Sequence, residues 1–426
     1  MVFIQNVDAE RFDVFVRNHP TKSHFMQSAA WGELAEAEKG LRAHRVALED
    51  GDGALVAAAL LLERKPPLFP PYLYAPRGFV LDFHDFALLE AFTKQVMAYA
   101  RSLGAMFVKI DPDIEHWEID EAGLPVPGGR DNTDVLEELV RLGYRHRGFN
   151  KGFEGRQPRY TFRLDLTRSD EEIDRAILGN VMKNVKKSHR YACEVVKGTS
   201  ADVQELHRLI TLTSERDEFV GYGLSYYQSF YDILAKHGMA ALYLGKVDPA
   251  KTVAMLQTEL DELLQKRLQL KKPGPLKESQ LSEQRLLHEI ELFRGYAADF
   301  PDGATISAHL VVRYGDKAWA VHAGSDSRMS ETFINNRVYY EKIHDAKRAG
   351  AKLLDQFGTI GDPVNSPLRS LHEFKRQFGG KYVEFLGEFD YVLNSFIYFA
   401  YNRLLPLYRS ARISLKMALR GKDKEK

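Results

Sequence analysis

The stretch LHEFKRQFGG, residues 371–380, sets one lysine, Lys375, between Phe374 and Phe378 and closes on two glycines. An ammonium beside phenyl rings loses hydration unless it meets an anion or ring faces. Two roles fit it: contact with charge that develops during a reaction, or a cap within the glycine turn. A second set of cations lies in GNVMKNVKKSHR, where Lys183, Lys186, Lys187 and Arg190 fall at i, i+3, i+4 and i+7, one face of a helix. Such a stripe suits a polyphosphate or RNA backbone, or else a solvated face. Arg216 stands between two acids in TSERDEF, with the aromatic run YGLSYYQSFY close behind. YLYAPRGFVLDF carries Tyr74 and Arg77 in a Pro/Gly turn suited to lining a cleft, and FVKIDPD adds Asp111.

What is missing narrows the chemistry. There is no HExxH and only one cysteine, so zinc spacings are absent. GxSxG, Walker and GxGxxG patterns are absent too. The fourteen histidines are scattered, and His309 and His322, in strand-like runs, read as packing residues. No cofactor or metal is expected. Cys193, in RYACEVV, reads as a packed residue at a strand start, and a lone cysteine fits a reducing cytosol.

The elements that must position these residues follow from composition and pattern. The chain has 426 residues, 44% apolar and 28% charged, with zero net charge, enough for two or three globular domains. Zero net charge leaves nucleic-acid or membrane contact to local patches. The N-terminus shows no signal peptide, and no run approaches the roughly 18 apolar residues that cross a bilayer. ALVAAALLL reads as a buried strand.

A faint repeat runs through the chain. ARSLGAMFVKIDP (100–112) and AKRAGAKLLDQFG (346–358) share a basic helix end, a glycine, an alanine and an apolar strand. Gly104 and Gly350 sit where a helix end wants positive φ. Each copy follows a helix, and further upstream lie strand pairs turning at Asp50–Gly53 and at Gly315–Asp316. This order predicts two similar α/β domains with mixed sheets flanked by helices. The expected boundaries are 1–146 and 147–381, with 382–426 returning to the first domain and ending in a basic helix. SDEEIDRAILGNVMKNVKKSHRYA reads as one helix capped by Ser169.

Residues 250–298 read as an inserted antiparallel helical hairpin. Leu256, Leu260, Leu263 and Leu264 share one face, KKPGP turns the chain, and Leu286, Leu287, Ile290 and Phe293 return. The hairpin looks too charged for a core, so it is expected to project as an arm dispensable for folding. Residues 403–426 are rich in lysine and arginine and suggest a helix for an anionic membrane surface.

At FMQSAAWGELAEAEKG, YAPRGFVLD, FVKIDPD, YRHRG, PRYTFRLDL, HAGSD, DQFGTIGD and FKRQFGGKYVEFLGEFDYVLN the sequence resembles the FemXAB family of aminoacyl-tRNA-dependent peptidoglycan bridge transferases. The order of these stretches and the terminal FKRQFGG…GEFD carry the resemblance. It implies two tandem domains of the acetyltransferase (GNAT) type with a coiled-coil arm resembling that of seryl-tRNA synthetase. It implies transfer of an amino acid, glycine, alanine or serine, from charged tRNA to the stem-peptide amine of a cell-wall precursor, lipid II or a nucleotide-linked form. The implied setting is cytoplasmic, peripherally on the inner membrane surface, with related transferases as possible partners. Lys375 and Phe374 match the family's catalytic Phe–Lys pair, and Arg216 matches a phosphate-binding arginine. Where members using the soluble precursor can carry a lysine, four residues after the tryptophan of QSxxW, this chain has Ala35, which favours the lipid-linked substrate.

Such chemistry needs little acid–base machinery. The aminoacyl ester is already activated, so positioning and charge stabilisation suffice. Lys375 is then expected to face a wet cleft, meet the developing oxyanion, and leave stability nearly unchanged when removed. Competing readings are an acyl-CoA-dependent GNAT acyltransferase, for which RSLGAM and KRAGAK lie on the wrong side of their helices, and a non-catalytic RNA-binding or scaffold module.

Overall fold

In a computed structural model of the chain, residues 1–405 except Glu218 are described. The expected basic C-terminal helix falls outside them. The strands are β1 (Val2–Gln5), β2 (Arg42–Glu49), β3 (Leu55–Arg64), β4 (Tyr72–Ala75), β5 (Phe107–Ile110), β6 (Glu115–Glu118), β7 (Tyr144–His146), β8 (Tyr160–Asp165), β9 (Cys193–Gly198), β10 (Ala240–Val247), β11 (Ala304–Tyr314), β12 (Lys317–Ser325), β13 (Leu353–Asp355), β14 (Lys381–Phe385) and β15 (Phe389–Val392). The helices are α1 (Ala9–Asn18), α2 (Ala29–Lys39), α3 (Phe86–Ser102), α4 (Thr133–Arg141), α5 (Asp170–Ala176), α6 (Gly179–Ser188), α7 (Val203–Arg216), α8 (Leu224–Lys236), α9 (Pro249–Arg267), α10 (Pro273–Asp299), α11 (Ile334–Arg348) and α12 (Arg369–Arg376).

The chain forms two compact α/β units. One comprises residues 1–160, 360–362 and the stretch from 383 onward; the other comprises 161–359 and 363–382. The first holds a mixed sheet in the order β1-β2-β3-β4-β5-β15-β7, in which only β4 and β5 are parallel. The second holds β8-β13-β12-β11-β10-β9, in which only β12 and β13 are parallel. Each unit therefore contains a strand, a long helix and a parallel strand: β4–α3–β5 and β12–α11–β13. The parallel step needs a helical crossover, and in both units the glycine after it, Gly104 or Gly350, takes positive φ (68° and 90°) as expected. The Asp50 carboxylate accepts from the backbone N–H groups of Asp52 and Ala54, which closes the β2–β3 turn.

Two expected elements differ. The helix expected to run on from Ser169 is two helices, α5 and α6. Ser169 does cap it, with a complete capping box to Glu172, but Ile177 and Leu178 are extended and break it. The Ile177 side chain is buried in the core of the second unit, and the chain turns there to bury Val181 and Val185 as well.

The helical hairpin is present as α9 and α10, but its base is not separate from the body. Pairing is antiparallel, since Arg267 meets Glu283 at the far end while Arg190 binds both Glu259 and Glu289 at 2.8 Å nearer the base. Leu256, Leu260, Leu286, Ile290 and Phe293 are buried in the same cluster as Val247, Ile306, Val338 and Leu354 of the second sheet and its helices. Phe293 stacks on Tyr191 at 5.4 Å. The expectation that the whole hairpin lies outside the core is thus corrected: its apolar face serves the body as well as the partner helix. Leu287, expected on that face, is half exposed.

Candidate active site

Lys375 sits in the last turn of α12, within the second unit, and is 7% exposed. Its Nζ donates to three backbone carbonyls, those of Gln356 (2.8 Å), Phe357 (3.0 Å) and Gly358 (2.5 Å). Only an ammonium has three N–H groups to give, so this nest calls for the cation. Burial opposes it and pushes the Lys375 pKa down to about 8, against a smaller upward pull from Asp355. The expectation of a wet cleft is corrected: Lys375 is interior, and its partners are carbonyl dipoles that the side-chain sequence does not display.

The 356–358 loop owes its inward carbonyls to its backbone. Phe357 and Gly358 both take left-handed φ, 50° and 89°. Asp355 anchors the start of the loop: its Oδ1 accepts from the Phe357 N–H (2.8 Å) and the Thr161 hydroxyl (2.5 Å), and Oδ2 accepts from Arg163 Nε (3.0 Å). Gln356 Nε2 donates to the Lys375 carbonyl at 3.1 Å, tying loop to helix a second time. The double glycine after the helix is required. Gly379 and Gly380 have φ of 78° and 96°, and a Cβ on Gly380 would lie 2.9 Å from the Arg163 carbonyl oxygen.

The two phenyl rings flanking Lys375 do not face the ammonium in a cage. Phe374 and Phe378 pack on Tyr339 of α11, edge-on at 4.9 Å and stacked at 4.4 Å. Tyr339 is therefore the hub that fixes α12. Its ring also meets the Nζ of Lys342, 3.3 Å from the centroid. Lys342 is 1% exposed and its Nζ lies 3.0 Å from His309 Nδ1; His309 Nε2 is 3.0 Å from Asn335 Oδ1, which also accepts from the Ser307 hydroxyl at 2.8 Å. Since Asn335 Oδ1 accepts, His309 carries its proton on Nε2 and Nδ1 accepts from Lys342. Burial and then the Lys375 charge hold the Lys342 pKa well below the usual lysine range.

A prediction follows from that depression. Above the folded-state pKa of Lys342 and up to about 10.5, the unfolded chain holds a proton the folded chain has released, so stability rises with pH across that window. Lys342→Met, which keeps the volume and removes the titration, should flatten the rise measured by denaturant melts at stepped pH. An unchanged slope would mean that Lys342 is charged in the fold.

The remaining expected residues divide. Tyr74, Arg77 and Asp111 are brought together in the first unit, but in its interior: the Tyr74 hydroxyl donates to Asp111 Oδ2 at 2.7 Å and the Arg77 N–H to Oδ1 at 2.6 Å. Arg77 Nη2 donates to the Pro158 carbonyl, and its guanidinium lies 4.3 Å from the Phe385 ring centroid. Burial raises the Asp111 carboxyl to about 6. A cleft lining is thus replaced by a closed cluster at the end of β4. Arg216, at the surface, donates to both carboxylate oxygens of Asp217. Lys183, Lys186 and Lys187 are exposed on α6. Arg190 lies past the end of that helix, and its ion pairs to Glu259 and Glu289 remove it from the expected stripe.

Sequence reading missed Lys109, Glu388 and Asp390. Lys109 on β5 is 7% exposed and pairs with Glu388 (2.7 Å) and with Asp390 (2.9 Å), its register partner on β15. The signal was there: a lysine inside FVKI and an aspartate inside FDYV are charges in apolar strands. His322 is buried among Tyr226, Tyr227 and Phe230, and its pKa falls to about 4 through burial. Burial pushes the Cys193 thiol up to about 12, which suits packing rather than nucleophilic chemistry. A cavity of about 620 Å³ by Cys193, Lys246, Lys251 and Asp302 contains none of the expected residues.

Against known proteins, the FemAB family model matches residues 7–405. A lipid II:glycine glycyltransferase of Staphylococcus haemolyticus (strain JCSC1435) is 30% identical, over 98% of this chain and 99% of that protein. A protein of the same name from Staphylococcus aureus (strain MW2) is 28% identical over the same shares. The crystal structure of FemX matches with a TM-score of 0.77 at 28% identity, covering 93% of this chain and 99% of that one.

Proposed function

The chain belongs to the FemAB family, and from that membership we propose that it is an aminoacyltransferase that carries glycine from charged tRNA to the stem-peptide amine of lipid II, in building the peptidoglycan bridge. The observation that carries this reading is end-to-end similarity to proteins named lipid II:glycine glycyltransferase, with no large segment unmatched on either side. In the reaction the amine attacks the ester carbonyl. An amide forms, the ester C–O bond breaks, the tRNA ribose oxygen leaves, and the amine's proton passes to that oxygen or to solvent.

In this proposal Lys375 is the catalytic cation and Phe374, through Tyr339, holds its helix. Three carbonyls hold the ammonium, and exchanging one of them for the oxyanion brings it into the reaction. Arg216 exchanges Asp217 for a precursor phosphate, and Lys183, Lys186 and Lys187 take the tRNA backbone. Tyr74, Arg77 and Asp111 frame the first unit rather than touch substrate. The two units are read as tandem GNAT-type domains, with α9 and α10 as a coiled-coil arm. The protein works in the cytoplasm at the inner membrane surface.

The test is incubation with lipid II and total charged tRNA, followed by mass spectrometry of the precursor. One added glycine residue per lipid II is expected. Addition of alanine or serine would overturn the choice of amino acid, and an acyl product formed only with acyl-CoA would overturn the tRNA-dependent reading.

A further inference from the structure

The far end of the helical hairpin has a surface that the transfer chemistry does not explain. Leu268 is 80% exposed, and Leu270, Leu276 and Leu281 are exposed beside it. Around them stand Lys271, Lys272 and Lys277, also exposed and without ion pairs among the described residues. Among the described residues nearby, the acids Glu278 and Asp261 carry no ion pair, Asp261 accepting from the Gln257 amide; Glu262 and Glu283 are taken by Lys266 and Arg267. The end is braced, since the Arg267–Glu283 pair links the two helices and Pro273 and Pro275 open α10. From Leu286, in the core, back to Pro273 the helix runs about 20 Å at its usual rise.

We propose that this tip is a docking surface for an anionic lipid bilayer, with the leucines entering the headgroup–acyl boundary and the lysines meeting lipid phosphates. The combination decides the partner. Lysines alone would serve RNA equally, but four exposed leucines gain nothing from a phosphate backbone, and no Phe, Tyr or Trp occurs between 250 and 292 to stack on a base. Apolar side chains ringed by lysine are the chemistry of an interfacial anchor. No helix among the described residues is long and apolar enough to cross a membrane, so contact of this kind would be peripheral. The proposal deepens the reading that the acceptor is lipid-linked and draws its purpose from that reading: a tip seated in the bilayer keeps the enzyme on the surface where that acceptor lies.

The experiment uses the full chain, C-terminal residues included, and sediments it with phosphatidylcholine vesicles or with vesicles also containing phosphatidylglycerol. Anionic vesicles should bind it, and added salt should weaken binding. The triple variant Lys271→Glu, Lys272→Glu, Lys277→Glu should bind about 100-fold more weakly, and Leu268→Ser with Leu270→Ser at least about tenfold more weakly. Both should melt with the parent, because the side chains are exposed. Parental binding by both variants would overturn the proposal and leave membrane contact to residues elsewhere. So would a triple variant that loses uncharged tRNA while the leucine variant keeps its vesicles, since the tip would then be an RNA site. Vesicle binding is read without substrate, so failure of the glycyl-transfer assay leaves this result standing.

Discussion

Lys375→Met is expected to lower the turnover number of aminoacyl transfer by about 10²–10³, the usual cost of one electrostatic contact made mainly in the transition state. KM for both substrates should change little. The same substitution should also lower the melting temperature by several degrees. The carbonyls of Gln356, Phe357 and Gly358 would lose their donor, and a buried unsatisfied polar group costs about 1–3 kcal/mol. Lys375→Arg should recover part of both, because a planar guanidinium keeps the charge without matching a three-carbonyl nest. The pH dependence separates the roles. If the cation acts in catalysis, activity falls as pH rises through about 8, and Lys375→Arg lacks that limb. Stability responds with the opposite sign, since between about 8 and 10.5 the unfolded lysine keeps a proton the folded one has released. A Lys375→Met protein that melts early yet turns over normally would reduce the residue to a cap for the loop.

Replacing residues 253–295 by a short Gly/Ser linker is expected to abolish cooperative folding of the second unit. Leu256, Leu260, Leu286, Ile290 and Phe293 would leave its core together. At about 1.5–3 kcal/mol for each buried side chain, the loss is roughly 10 kcal/mol, comparable with the whole stability of a domain, about 5–15 kcal/mol. Replacing only residues 265–281 should leave a cooperative melt close to the parent's, because that segment contributes nothing to the core cluster. Calorimetry of the two replacements is the check. A parental melt for the longer one would return the hairpin to the status of an appendage.

These expectations differ from the sequence reading where the physics is non-local. Hairpin turns, the Ser169 cap and the glycines after the crossover helices are written in a few adjacent residues, and they were legible. The hairpin's leucines were legible as one apolar face, but periodicity does not say how many partners a face has. Arg190 has the spacing of its neighbours, and only the fold reveals Glu259 and Glu289 waiting for it. Lys375 could be picked out by type and motif, whereas its ligands could not, since every residue has a carbonyl. Lys342 gave no signal at all: a lysine in a helix reads as solvated until Tyr339 and His309 are seen to enclose it.

The position of β15 has a consequence for synthesis on the ribosome. It lies between β5 and β7, so the sheet of the first unit is filled by residues 389–392, made after the whole second unit. The unit begun first is therefore finished last. While residues 161–382 emerge and fold, the earlier sheet waits with β5 and β7 unpaired along facing edges, a template for pairing with another nascent chain. Lys109 waits as well, its carboxylates not yet made. A message truncated between codons 383 and 388 would give a protein with one sound half and one open half, with an uncompensated buried lysine at the gap. Such a product should be found in aggregates or cleared by proteases, even when the truncation removes only the residues after Leu386.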